Sequence, residues 1–119
     1  VRSFAQRAGD VQRGTAALQT LRKDLGEEAR IEFRRLDLAD LSSVRSFAQR
    51  VRDEGRPLHA LVNNAAVMLA PFGRTVDDLE VTWATNYLGP FLLTSLLTPA
   101  VVAAARRDGD ARIVNVGSE

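Results

Sequence analysis

Leu58-His59-Ala60-Leu61-Val62-Asn63-Asn64-Ala65-Ala66 is the stretch on which the fold turns. Its apolar part is too short for a helix, reads as a strand covered on both faces, and stops abruptly at two asparagines. Just upstream, Leu41, Val44, Phe47, Ala48 and Val51 share one helical stripe; Asp40 stands where an N-cap belongs, and Gly55 and Pro57 end the pattern. Downstream, a loop with Pro71 and Gly73 leads to a helical pattern from about Asp77 to Ala105, interrupted at Gly89-Pro90. Asp108-Gly109-Asp110 then predicts a turn, and Ala111 to Val116 a second buried strand.

Working back toward the N-terminus, Ile31 to Leu36 reads as a strand with Ile31 and Phe33 on one face. Before it, Val11, Ala17, Leu18, Leu21 and Leu25 mark an amphipathic helix, with Asp10 placed to cap its start and Gly26 its end. Helices therefore alternate with strands, about three of each, which implies a parallel sheet with right-handed crossovers, open and doubly wound. Such folds bind ligands outside the carboxyl ends of their strands. Those ends are Asp37-Leu38, Asn63-Asn64-Ala65-Ala66 and Val116-Gly117-Ser118, and each carries a polar residue.

Val-Arg-Ser-Phe-Ala-Gln-Arg occurs at residues 1–7 and again at 44–50. The second copy fits its helix. The first shows neither strand alternation nor a cap, so 1–9 reads as an anomalous segment, a splice or gene-model irregularity, within a partial domain of 1–119. No other segment repeats at that offset, which excludes a solenoid.

The chain has 119 residues, 45% hydrophobic and 26% charged, the make-up of a small globular domain. Sixteen basic residues against fifteen acidic ones give a net charge of +1, which points away from nucleic acid and anionic membranes as partners. Lys23 is the single lysine, and there is no cysteine, hence no disulfide, thiol nucleophile or thiolate metal site. The longest apolar stretch, Tyr87 to Leu97, is broken by Gly89, Pro90, Thr94 and Ser95 and is shorter than the roughly 20 residues a bilayer requires. Starting at Val1 and stopping directly after an apolar run, the chain reads as an excerpt.

Several residues could carry chemistry. With Asp40 taken as the cap, Asp37 could accept a hydrogen bond from an adenine amino group, or be an ordinary loop aspartate. Asn63-Asn64 offer amide donors and acceptors beside two alanines small enough to admit a flat ligand; the alternative is a strand-ending turn. Asn86 is a poor helix former placed inside a helix. Pro90, four residues on, lacks the N–H that would reach the Asn86 carbonyl, so the helix should kink and leave an acceptor for an ordered water, unless this is only a Gly-Pro kink. Ser118 could direct its hydroxyl at a substrate oxygen or simply end a strand.

His59, without a neighbouring partner, reads as structural or surface; Trp83 and Tyr87 as helix-face packing; and Arg106-Arg107 as offsetting a helix dipole. No metal-ligand cluster, Walker loop or Ser/His/Asp set can be assembled at convincing spacing.

Leu36-Asp37-Leu38, Leu61 to Met68, Thr85 to Thr94 and Arg112 to Ser118, in that order and spacing, resemble the short-chain dehydrogenase/reductase family, in its retinol-dehydrogenase-like and polyprenol-dehydrogenase-like branches. The resemblance covers about residues 10–118 and implies a Rossmann-like sheet, here incomplete. It implies that Asp37 and Leu38 contact adenine and that Asn64, Ala65 and Ala66 line the cofactor crevice. It further implies that Asn86 is the catalytic asparagine whose carbonyl anchors a relay water, and that Ser118 orients the substrate oxygen. The cofactor would be NAD or NADP, and the substrate a lipophilic alcohol/carbonyl pair such as a retinoid, steroid or isoprenoid alcohol. A homo-oligomer would form through the long helix around 77–105.

The sequence also departs from the family. Its one tyrosine, Tyr87, has Phe91 four residues on, so no Tyr-x-x-x-Lys exists, and its eight glycines never fall as Gly-x-x-x-Gly-x-Gly. Without that loop the pyrophosphate loses its main anchor. Ala66 replaces a usual glycine, Pro90 a frequent histidine, and Gly9 stands where an arginine selecting the phosphorylated cofactor is often found. Arg7 and Arg13 are the remaining candidates for that last task. The resemblance therefore implies an NAD(P)-dependent oxidoreductase whose central piece is inactive alone. The rival reading is a truncated, non-catalytic interaction fragment. A receiver-type module is disfavoured because its acidic cluster is absent.

Overall fold

The computed structural model describes residues 2–5, 11–26 and 28–117. It divides into two compact units, Val1–Asp37 and Leu38–Glu119. The first is a strand-helix-strand unit: β1 (Arg2–Ala5), α1 (Val11–Leu25) and β2 (Glu32–Arg35), with β1 and β2 paired in parallel. Residues 2–5 of the heptapeptide's first copy, which shows no strand alternation, thus form a strand. The identical sequence at 44–50 lies inside a helix. The ladder to β2 outweighs the weak local preference of these residues, as tertiary context commonly does.

α1 faces β2 through Gly14, where a Cβ would overlap the Phe33 ring. Gly26, at φ +91°, follows the helix in the left-handed conformation its predicted role requires. No residue of α1 is fully buried, and Val11 and Leu25 are exposed, so the stripe is shallower than its periodicity implies. The predicted cap Asp10 lies outside the described residues, as do Arg7 and Gly9.

The second unit holds α2 (Leu41–Asp53), β3 (Ala60–Asn63), a short α3 (Val81–Trp83), a π-helical turn (Ala84–Leu88), α4 (Gly89–Asp108) and β4 (Arg112–Asn115). β3 and β4 pair in parallel, Ala60 opposite Arg112 through Asn63 opposite Asn115. Parallel neighbours require a crossover, and α3 to α4 provides it. α2 follows its sequence signals closely. The Asp40 carboxylate accepts from the Ser42 and Ser43 amides, and Val44, Phe47, Ala48 and Val51 are buried. They meet α4, whose Leu93, Leu97, Val101 and Ala104 form the other half of the core.

Three expectations need correction. The helix starts at Val81, not Asp77, because Thr75 organises a turn first: its hydroxyl accepts from the Asp77 and Leu79 amides, and its own amide donates to the Leu79 carbonyl. Glu80 then caps the helix through the Thr82 and Trp83 amides. Second, β3 and β4 are not buried on both faces. Val62, Val114 and Val116 are exposed, because α4 packs on these strands and no other described element of this unit covers their second face. Third, the helical run is longer than its unbroken apolar core. Val81–Asp108 spans 28 residues with a mean hydropathy of 1.8 in its most apolar window, enough by length and composition to cross a bilayer. About 28% of that window is buried, where its stripe packs on α2.

Candidate functional site

Among the described residues of the second unit, Asn86 is bonded to Val67, directly after Asn64-Ala65-Ala66, and stands three residues before Gly89, which meets Leu38. β3 ends at Asn63, and the two asparagines after its apolar run have different jobs. Asn63 Nδ2 donates to Thr94 Oγ1 at 2.9 Å and to Asn115 Oδ1 at 2.8 Å, and its carbonyl accepts from the Val116 amide at 2.9 Å. It therefore ties β3 to α4 and β4. Asn64, Ala65 and Ala66 are exposed and lie beyond the strand's carboxyl end, where a ligand crevice would be lined. Sequence alone could not separate the two asparagines, because Thr94 and Asn115 are 31 and 52 residues away.

Next in the chain, Val67 is held by Asn86. The Val67 amide donates to Asn86 Oδ1 and Asn86 Nδ2 donates to the Val67 carbonyl, both at 2.8 Å. The carboxamide is thus engaged with backbone on both its oxygen and its nitrogen. Asn86 lies in the π-helical turn, in which the Gly89 amide reaches back to the Ala84 carbonyl. Pro90 removes the N–H that an α-helical pattern would bring to the Asn86 carbonyl. The disruption expected there takes the form of this wider turn, a feature that recurs at functional sites.

Gly89 opens α4 and is buried, pressed against Leu38. Leu38, just after β2, is 6% exposed, so at most a backbone edge is available to a ligand. Asp37 is half-buried at the end of the first unit. Ser118 lies outside the described residues; the described part of its strand end is Val116-Gly117.

Thr85, between Ala84 and Asn86, is 2% exposed and its hydroxyl has no hydrogen-bond partner. Thr15, Thr20, Ser95 and Thr98 each donate to the carbonyl four residues back. For Thr85 that carbonyl belongs to Val81 and already accepts from the Ala84 amide at the entry to the π-helical turn.

Other readings resolve away from these residues. His59 does have a partner: its Nε2 lies 2.7 Å from Asp108 Oδ2 across 49 residues of chain, tying the entry of β3 to the end of α4. Hydrogen bonds from Arg107, then from His59, hold the Asp108 carboxyl down to about 2. Arg107 thus acts through an ion pair as well as through the helix end. Trp83 stacks on Tyr87 at 4.4 Å and Tyr87 on Phe91 at 6.1 Å, an exposed aromatic ladder rather than buried packing. A cavity of about 350 Å³ lined by Arg52, Arg56, Arg107 and the α4 alanines holds none of the candidate residues. Among the described residues no group of three His, Cys, Asp or Glu side chains could hold a metal.

Comparison with known proteins bears on this arrangement. The family model described as short chain dehydrogenase matches residues 4–119. The chain is 47% identical over 105 residues to polyprenol dehydrogenase of Danio rerio, covering 88% of this chain and 32% of that protein. It is 40% identical over 109 residues to retinol dehydrogenase 12 of Mus musculus, covering 92% and 33%. It thus spans about a third of the length of these relatives.

Among solved structures, an NADPH-bound carbonyl reductase from chicken fatty liver matches with a TM-score of 0.71 at 25% identity, over 99% of this chain and 46% of that one. A blue fluorescent protein from a metagenomic library in complex with NADPH matches at 0.63 with 30% identity, over 98% and 44%. The fold is therefore Rossmann-like and incomplete, and with the family match running through nearly every residue, this chain belongs to the short-chain dehydrogenase family.

Proposed function

We propose that this chain is the central part of an NAD(P)-dependent oxidoreductase acting on an alcohol/carbonyl pair, with a lipophilic substrate of the retinoid or isoprenoid kind. The observation that carries this reading is the two-way bond between Asn86 and Val67 at a π-helical turn, directly after the exposed Asn64-Ala65-Ala66 segment. With its amide occupied, Asn86 presents its carbonyl to hold a water that passes a proton. Asn64, Ala65 and Ala66 form a crevice wall of small exposed residues, which suits the edge of a flat nicotinamide cofactor. Asp37 and Leu38 hold the adenine end, and Ser118 orients the substrate oxygen.

When bound, the cofactor supplies or accepts the hydride. The residues present fit its crevice and adenine end; the glycine loop for its pyrophosphate is not among them. The general acid/base tyrosine and its lysine are also not in this sequence, since Tyr87 is followed four residues later by Phe91. The 119-residue chain by itself is therefore inactive. The names of the relatives support the substrate class.

The test is to follow NADPH absorbance with a retinoid aldehyde, using the isolated chain and the full-length product of its transcript. Turnover is expected only from a product that also carries the glycine loop and Tyr-x-x-x-Lys. Ordinary turnover by the isolated chain would overturn these assignments.

A second reading is favoured by the exposed ladder Trp83, Tyr87 and Phe91 and by the open face at Val62, Val114 and Val116. On it, the chain is a non-catalytic fragment that associates through the exposed aromatic side of the helical run Val81–Asp108 and the open sheet face, with itself or with a longer copy. Sedimentation of the isolated chain tests this. A monodisperse monomer with a sharp thermal transition would count against it.

A further inference from the structure

We infer that Gly89 is a positioning residue for the adenine end of the cofactor, an inference that rests on the functional reading above. Gly89 is buried at the first position of α4, three residues after Asn86. A Cβ built there would fall within the van der Waals shell of the Leu38 carbonyl oxygen, and 3.0 Å from both the Leu38 carbonyl carbon and Leu38 Cβ. The carbon contacts alone are about 0.5 Å or more inside ordinary separation. The obstructing atoms include backbone, so no flexible side-chain end can swing away.

Glycine is therefore required by the close approach; its φ of −61° is ordinary for helix. The turn that presents Leu38 to the adenine is braced on the same helical segment that holds Asn86 and, through it, Val67. Any side chain at 89 would push these two parts of the site apart. The effect should fall on the adenine end, since the added Cβ meets Leu38 itself, whereas Asn86 is tied to Val67 by two bonds of its own.

The experiment compares Gly89→Ala with the unaltered full-length protein for binding of NADPH and of reduced nicotinamide mononucleotide, which has no adenine. The expected result is a Kd for NADPH raised by about tenfold or more, with that for the mononucleotide changed by less than about twofold. Gly73→Ala, at a glycine whose Cβ would meet only ordinary contacts, is the control and should bind both as before.

Equal weakening toward both ligands, or none toward either, would overturn the role of Gly89 while leaving the functional reading intact. Failure of the unaltered protein to bind NADPH would overturn that reading and this inference with it. Hydrogen exchange in the unaltered protein gives a measure that does not depend on the variant folding. NADPH should slow exchange in the Leu38–Asp40 turn and the first turn of α4 together, and the mononucleotide in neither. Protection of the 38–40 turn without α4 would also overturn the proposal.

Discussion

Asn86 and Val67 lie 19 residues apart in sequence and are bonded in both directions, side-chain oxygen to backbone amide and side-chain nitrogen to backbone carbonyl, each at 2.8 Å. One amide side chain thereby substitutes for a strand partner at a point where β3 has already ended. Asn86→Ala should remove both bonds and destabilise the chain by about 1–3 kcal/mol, given about 0.5–1.5 kcal/mol for each hydrogen bond. Hydrogen exchange at the Val67 amide is the direct measure, and unchanged exchange would refute the link. Asn86→Asp keeps an acceptor for the amide but sets a carboxylate against the Val67 carbonyl, so it should recover only part of the loss.

Asp40 caps α2 by accepting from the Ser42 and Ser43 amides at 2.9 and 3.2 Å. Asp40→Ala leaves those donors to water and should cost about 1 kcal/mol. For a unit of this size that lowers Tm by roughly 4–8 °C. Asp40→Asn should lose much less, because the amide oxygen can still accept; equal Tm values for the alanine and asparagine variants would rule out the capping account.

Thr85→Val should raise thermal stability. The hydroxyl is buried without a partner, and replacing it with a methyl of similar size removes an unmet desolvation cost of about 1 kcal/mol. A lower Tm for the valine variant would show that the hydroxyl has a partner, such as an ordered water.

The Arg107-Asp108-His59 cluster predicts a pH dependence. Asp108 is shifted from 3.8 down to about 2, first by the hydrogen bonds from Arg107 and then by that from His59. A carboxyl that binds its proton more weakly in the folded chain stabilises the fold fully above its unfolded pKa, and that stabilisation is lost as pH falls through the folded value. The Tm advantage of the unaltered chain over Asp108→Asn should therefore shrink as pH falls from about 4 toward about 2. It should also shrink in high salt, since the cluster is solvent-exposed. An advantage that grows on acidification would contradict the assignment.

α2 was legible almost residue by residue. Asp40 at its start, the Val44, Phe47, Ala48 and Val51 stripe, and Gly55 after it are all contacts or conformations contained within a turn or two of chain. The start of the next helix was misplaced by four residues, because Thr75 forms a turn in competition with helix over Asp77 and Asp78. The positions of Asn64, Ala65 and Ala66 at a strand end, and of Asn86 in a helical segment ahead of Gly89-Pro90, could be read from spacing along the chain. The engagement of Asn63, the bond to Val67 and the close contact at Gly89 could not.

By itself, then, the sequence determined the parallel α/β alternation, the main helix and its cap, and a family membership carried by four motifs in order. Those features rest on spacing along the chain: helical and strand periodicity, a cap two or three residues from its amides, a proline four residues from a carbonyl. Only the tertiary structure decided the rest. It made residues 2–5, within one copy of Val-Arg-Ser-Phe-Ala-Gln-Arg, a strand and the other copy part of a helix, gave Asn63 to the scaffold and left Asn64 open, paired His59 with Asp108, and set Gly89 against Leu38. Each of these outcomes depends on groups that are distant in sequence and meet only when the chain packs, so local preference carries no record of them.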